Sequence, residues 1–125
     1  MLPPESIHIT AEVQYLPKSS DPEQDQFAFA YHIRITNEGE QTVQLINRYW
    51  LITDGNGTHK EVAGSGVVGQ QPQIAPGESY EYTSGAMLET PVGTMQGHYD
   101  MQTASGETFQ AHIPVFTLAD PKQVN

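Results

Sequence analysis

Any chemistry in this chain must come from a few residue groups whose types and spacing suit it. Gly64-Ser65-Gly66-Val67-Val68-Gly69 matches the pattern G-x-G-x-x-G. In a dinucleotide fold that pattern brings bare backbone N–H groups to a pyrophosphate at a helix N-terminus. Here Gln70-Gln71-Pro72 follows, which opens no helix, and no strand–helix–strand unit surrounds it. No Lys or Arg lies between Lys60 and Lys122. If phosphate binds at Gly64, Gly66 and Gly69, backbone N–H groups must therefore do most of the holding. The competing reading is a structural glycine loop at the end of a sheet.

His98, Asp100 and His112 form a second group, because a hairpin turning at Ala104-Ser105-Gly106 places them on one exposed face. With β-carbons about 5 Å apart across such a pair, two imidazoles and a carboxylate could take a divalent cation. An open strand surface gives metal ligands little support from behind, and a solvated polar face that contains two histidines explains the same residues. Arg48 and Tyr49 are the third group. Exposed Arg and aromatic side chains anchor protein partners, while the adjacent Trp50 is read as core.

Other patterns fail on inspection. Asp54, Asn56 and Thr58 echo the opening of a calcium loop, but His59 stands where a glycine is required and Ser65 where the closing glutamate belongs. His8, His32 and His59 share no spacing, and His32 is read as a hydrogen-bonded, partly buried side chain. There is no G-x-S-x-G elbow, no H-E-x-x-H and no P-loop lysine motif. Thr83 and Ser84, ahead of Gly85, are read as turn ligands. These residues describe a non-enzymatic chain that calls for no cofactor.

The elements that must position these groups are strands. Ile7 to Tyr15 alternates apolar and polar residues, and so does Phe27 to Thr36, with Phe27, Phe29, Tyr31, Ile33 and Ile35 on one face. Pro17 to Asp25 is a polar loop. Val43 to Thr53 is apolar on both faces, Ile46 falling with Trp50 and Ile52, which predicts a central strand covered on both sides. Asp54-Gly55-Asn56-Gly57 reverses the chain into a strand over Thr58 to Val62. Gly64 to Ile74 is read as irregular, Ala75-Pro76-Gly77-Glu78 as a type II turn, Ser79 to Thr83 as a strand, and Met87 to Gly97 as an extended crossover loop.

The last hairpin has a defined register. A three-residue loop with Gly106 in the left-handed position sets Met101 against Phe109, Tyr99 against Ala111, Asp100 against Gln110 and His98 against His112. Pro114 marks the final strand as an edge. About seven strands without a helix predict an all-β, antiparallel β-sandwich of the fibronectin type III or immunoglobulin-like kind. The absence of cysteine favours the fibronectin-like variant, since no antibody-like disulfide can form.

The 125 residues fit one domain over 1–125. Without cysteine there is no disulfide framework, thiolate metal site or cysteine nucleophile. Fifteen acidic residues against five basic ones give a formal charge of -10. That charge repels phosphate backbones and anionic lipid, so nucleic acid is an unsuitable partner, while cations or a basic protein face suit it. The start Met1-Leu2-Pro3-Pro4-Glu5 lacks the basic and apolar features of a secretory signal. The longest strongly apolar run, Tyr49-Trp50-Leu51-Ile52, falls far short of the roughly 20 residues of a membrane helix. The expectation is a cytoplasmic protein without membrane insertion, its oligomeric state left open.

A longer series of residues resembles one family. Asn47-Arg48-Tyr49-Trp50-Leu51-Ile52-Thr53-Asp54, Glu61 to Pro72, Pro76-Gly77-Glu78, Tyr82-Thr83-Ser84-Gly85, Thr90 to Tyr99 and Ile113-Pro114-Val115-Phe116 are similar to the bacterial ApaG (CorD) proteins, in order and from about Glu5 to Ala119. The resemblance implies a fibronectin type III-like sandwich, a link to cobalt tolerance and magnesium efflux, and no established catalytic reaction. The same domain occurs in an F-box ubiquitin-ligase subunit and in a polymerase-delta-interacting protein, which implies an unidentified protein partner. Through the glycine motif, the resemblance also implies nucleotide or pyrophosphate binding as an alternative.

Overall fold

A computed structural model of the chain describes residues 6–121. It contains eight strands: β1 (Ile7–Tyr15), β2 (Phe27–Asn37), β3 (Val43–Asp54), β4 (His59–Ser65), β5 (Gln73–Ile74), β6 (Ser79–Leu88), β7 (Val92–Thr103) and β8 (Thr108–Ala119). Two antiparallel sheets result, one ordered β1-β2-β6 and the other β4-β3-β7-β8, with the short β5 pairing Val43 and Gln44 of β3 beyond the end of β4. The expected antiparallel sandwich stands, with one strand more than the sequence implied. Among the described residues no helix is long and apolar enough to cross a membrane.

The alternation seen in the sequence builds the core. Ile7 and Ile9 of β1 and Phe27, Phe29, Tyr31, Ile33 and Ile35 of β2 are buried against Leu45, Trp50, Met95, Tyr99, Met101, Ile113 and Leu118 of the other sheet. Trp50 sits at the centre, edge-on to Tyr31, Phe116 and Tyr99 at ring separations of 5.4, 5.8 and 6.3 Å. Burying one such large apolar side chain stabilises the fold by about 1.5–3 kcal/mol.

Both the turns and the last hairpin follow their residues. Gly77 and Gly106 take positive φ, and the Gly106 N–H closes on the Thr103 carbonyl at 2.9 Å. The pairs Met101–Phe109, Tyr99–Ala111, Asp100–Gln110 and His98–His112 form as expected. β8 is an outer strand, and its ladder slips between Gly97–Ile113 and Met95–Phe116. The extra β8 residue falls around Pro114, where a missing N–H does least harm.

Three expectations are corrected. The β3 ladder slips between Leu45 and Asn47, and this bulge sends Val43 and Leu45 inward together with Trp50 and Ile52 while Ile46 is left outside the core. The outer face of β3 is therefore half-exposed rather than covered, with Tyr49 and Leu51 upon it. Second, Met87 to Gly97 is not a loop, since β6 runs to Leu88 and β7 starts at Val92. Its glycines mark close approach instead: a Cβ on Gly97 would run into the Tyr49 carbonyl, and one on Gly93 would lie 2.8 Å from Leu88 Cδ1. Third, β4 continues to Ser65, and Thr83, Ser84 and Gly85 lie within β6 instead of in a turn.

Candidate functional site

The outer face of the larger sheet gathers most of the residues with chemical potential. β3, β7 and β8 run side by side there, so outward residues of neighbouring strands become neighbours in space. The Tyr49 ring stacks on His98 with centroids 5.0 Å apart and planes 22° apart. Its hydroxyl donates to Glu61 Oε2 of β4 at 2.9 Å, and this carboxylate raises the phenol's pKa by holding its proton. His112 meets His98 edge-on at 6.3 Å. His98 Nε2 lies 3.6 Å from Asp100 Oδ1, and Asn47 Nδ2 donates to Asp100 Oδ2 at 3.2 Å.

His98, Asp100 and His112 therefore share one face, as the hairpin register required. They do not close on a point. Among the described residues no group of three or more His, Asp or Glu side chains is placed to hold a metal ion. What the face presents is a platform of two imidazoles and a phenol, with carboxylates at its margin.

Arg48 and Tyr49 part company, because adjacent strand residues point to opposite faces. Arg48 turns toward the inside of the sandwich margin, where its Nη1 donates to the carbonyls of Ser65 and Gly66 at 3.1 and 3.0 Å. Gly64 lies opposite Arg48 in the β3–β4 ladder, and a Cβ there would sit 3.0 Å from both guanidinium nitrogens. A cation thus lies against the glycine segment, although none is near it in sequence. The signal was present in the hairpin: Asp54 N–H closes on the Thr58 carbonyl, and counting equally along both strands from that pair reaches Arg48 and Gly64.

The three motif glycines have separate duties. Gly64 leaves room for the guanidinium. Gly66 has φ +63 and would drive a Cβ into the Gln70 carbonyl. Val68 and Gly69 have φ 47 and 77, the paired left-handed residues of a type I′ turn. Val67 and Gln70 exchange both N–H···O bonds at 2.8 and 2.9 Å, while the Gly66 N–H donates to the Ile46 carbonyl at 2.8 Å. The amides of Gly66, Val67 and Gln70 are thus bonded among the described residues, those of Val68 and Gly69 at the turn tip are not, and Arg48 faces carbonyls.

Two polar clusters escaped the sequence reading. On the outer face of the smaller sheet, His32 bonds through Nδ1 to Thr83 Oγ1 and through Nε2 to Glu81 Oε1, each at 2.8 Å. The imidazole bond lowers the Glu81 pKa. Inside the sandwich the hydroxyls of Tyr82 and Tyr99 hydrogen-bond to each other, and burial raises both phenol pKa values, most for Tyr99. Neither cluster leaves a local trace, because the first depends on the pairing of β2 with the distant β6 and the second on the packing of one sheet against the other.

Comparison with known proteins gives a consistent result. The family model described as the ApaG domain matches residues 17–103. Among curated relatives, Protein ApaG of Erwinia tasmaniensis is 56% identical over 111 residues, covering 89% of each chain. Protein ApaG of Aromatoleum aromaticum is 52% identical over 116 residues, covering 93% of this chain and 91% of its own. A crystal structure from Bordetella pertussis that carries the name ApaA superposes with a TM-score of 0.90 at 49% identity, over 94% of this chain and 95% of that one.

Proposed function

The chain belongs to the ApaG domain family, and from that premise we propose that it is a non-enzymatic binding module that acts by contact with a partner protein. The observation that carries the reading is the Tyr49–His98–His112 platform on an open sheet face. Rings that keep a polar edge are well suited to anchor a protein surface. The link to cobalt tolerance and magnesium efflux that the family resemblance implies would then be exerted through that partner, in the cytoplasm. Affinity capture with the wild-type chain and with Tyr49→Ala/His98→Ala tests this. One stoichiometric partner that the double variant loses supports the platform; equal recovery by both chains removes it.

A second reading is direct binding of a divalent cation by His98, His112 and Asp100, which share one face but would have to draw together around the ion. Titration with cobalt or magnesium, followed by histidine NMR, separates the two. Shifts confined to His98 and His112 at submillimolar metal would favour the cation. The loop reading is tested by calorimetry with ATP and pyrophosphate on wild type and Gly66→Val, where equal heats remove the loop as a site.

A further inference from the structure

The smaller sheet offers an interaction surface of a different kind. β6 is the outer strand of β1-β2-β6, and its pairing with β2 is unbroken from Phe27–Leu88 to Thr36–Ser79. The phase of that ladder is set where the Asn37 N–H donates to the Glu78 carbonyl at 3.0 Å. Opposed residues of an antiparallel pair alternate between exchanging both hydrogen bonds and exchanging none. Tyr80, Tyr82, Ser84, Ala86 and Leu88 thus bond to β2, while Ser79, Glu81, Thr83, Gly85 and Met87 turn their N–H and C=O to the free edge. Lys60 Nζ agrees with this phase, since it reaches across from β4 to the Met87 carbonyl at 3.3 Å. No loop or side chain among the described residues bonds to the outward groups of Glu81, Thr83 and Gly85.

Soluble proteins blunt such edges with proline, lysine or a bulge, and two of the other outer strands here, β8 and β4, are blunted in that way, while β1 has none of the three but lies beside β8. β8 has Pro114 and its extra residue, β4 has Lys60 and runs straight into the glycine turn, and β1 shares a cleft with β8 lined by Ile9, Ala11, Ile113 and Pro114. The ten residues of β6, Ser-Tyr-Glu-Tyr-Thr-Ser-Gly-Ala-Met-Leu, include no proline, lysine or bulge.

We propose that the β6 edge from Ser79 to Gly85 takes up an extended, Lys- or Arg-bearing segment of a partner protein as a fourth strand of this sheet. The local charge selects the occupant. Glu78, Glu81 and Glu89 lie in or beside β6, against Arg34, which stands opposite Glu81 on β2, and Lys60, which reaches only the Met87 end. Glu81 is fixed on the outer face by His32, where a cationic side chain on the added strand would meet it as a cross-strand pair. A second copy of the chain would bring the same carboxylates and a further formal charge of -10, which opposes association. Toward the interior, Val62 of β4 is left 38% exposed on the same side of its sheet as Trp50. The fitting segment therefore alternates basic residues outward with apolar residues inward.

The test uses the full chain, a synthetic peptide of alternating Lys and Val, and its Glu/Val counterpart, read by amide hydrogen exchange. The Lys/Val peptide is expected to slow exchange at Glu81, Thr83 and Gly85 by about tenfold or more, and the Glu/Val peptide to leave it unchanged. Thr83→Pro removes a donor that the β2 ladder does not use, so it should abolish the protection with its circular dichroism unchanged. Should that variant misfold, a Lys/Val peptide N-methylated at alternate residues should lose binding to the wild type. Tyr49→Ala should bind the Lys/Val peptide normally, which separates this edge from the platform on the other sheet. Undiminished binding by folded Thr83→Pro or by the N-methylated peptide, or protection at β4 or β8 instead, would overturn the proposal. So would β6 protection that appears without peptide and rises with protein concentration, because a second copy would then be the occupant.

Discussion

Two phenol hydroxyls, Tyr82 from β6 and Tyr99 from β7, join the sheets by a hydrogen bond inside the sandwich. Removing either one strands the other, and the structure says which loss is worse. Tyr99 is 0% exposed and Tyr82 8%. Tyr82→Phe leaves the Tyr99 hydroxyl with no route to water, which should cost about 2–3 kcal/mol, the upper part of the range for an unsatisfied buried group. Tyr99→Phe strands the hydroxyl of the slightly less buried Tyr82 and should cost less, about 1–2 kcal/mol. The double variant removes both hydroxyls and keeps both rings, so its loss should fall below the sum of the singles by about 0.5 kcal/mol or more. An unfolding entropy of about 2.1 cal/mol/K per residue makes 1 kcal/mol roughly 4 °C in a chain of this length. Thermal and urea unfolding at neutral pH, followed by circular dichroism, measure all three. A larger loss for Tyr99→Phe than for Tyr82→Phe, or strict additivity in the double variant, would refute the reasoning.

The same pair sets a pH dependence. Burial raises both phenols above their ordinary 10.0, so the unfolded chain ionises first; the stability they contribute is complete below about pH 10 and declines above it, by up to about 1.4 kcal/mol per pH unit for each phenol. Urea midpoints from pH 9 upward should show this decline, and Tyr82→Phe/Tyr99→Phe should make it shallower, leaving the part due to Tyr31 and Tyr49, whose pKa values are also raised. Gly97→Ala presses a methyl group onto the Tyr49 carbonyl with Trp50 Cα 3.1 Å away and should cost about 3 kcal/mol. Gly106→Ala meets nothing within 4 Å at φ +92 and should cost only about 1 kcal/mol, so equal midpoints for these two variants would contradict the close-approach account. Arg48→Ala releases the carbonyls of Ser65 and Gly66 and should speed amide exchange at Val67 and Gln70 by about tenfold or more; unchanged exchange there would show that the guanidinium does not hold the turn.

The parts of the fold that could be read from residues were those in which a turn and a period agreed. The terminal hairpin is the clearest, since Gly106 fixes the register and every pair from Met101–Phe109 to His98–His112 follows. β3 could not be read to its end. Leu45 and Ile46 are chemically alike, so nothing local shows that a bulge beside them sends one inward and the other outward. β7 was misread because glycine serves both turns and close approach, and what distinguishes Gly97 is a carbonyl on another strand. The site followed the same rule. His98, Asp100 and His112 lie on adjacent strands of one hairpin and were brought together, whereas the His32–Glu81–Thr83 cluster needs β2 to pair with β6 across separations of 49 and 51 residues.

Accounting for backbone donors ties the loop and the edge together. A ligand that binds through main-chain N–H groups needs donors that folding has left unbonded, and two segments of this chain are candidates to provide them. The glycine motif has the composition, but Gly66, Val67 and Gln70 already donate to carbonyls of the chain itself. β6 has an ordinary strand composition, yet its position at the end of β1-β2-β6 leaves every second residue from Ser79 to Gly85 facing outward. The difference arises from register alone. A phosphate would find only the Val68 and Gly69 amides unbonded at the tip of the Val67–Gln70 turn, whereas an extended peptide would extend a ladder that already has the right spacing and phase. The β6 edge therefore offers a row of outward donors and acceptors along the strand, and the glycine turn only two adjacent amides.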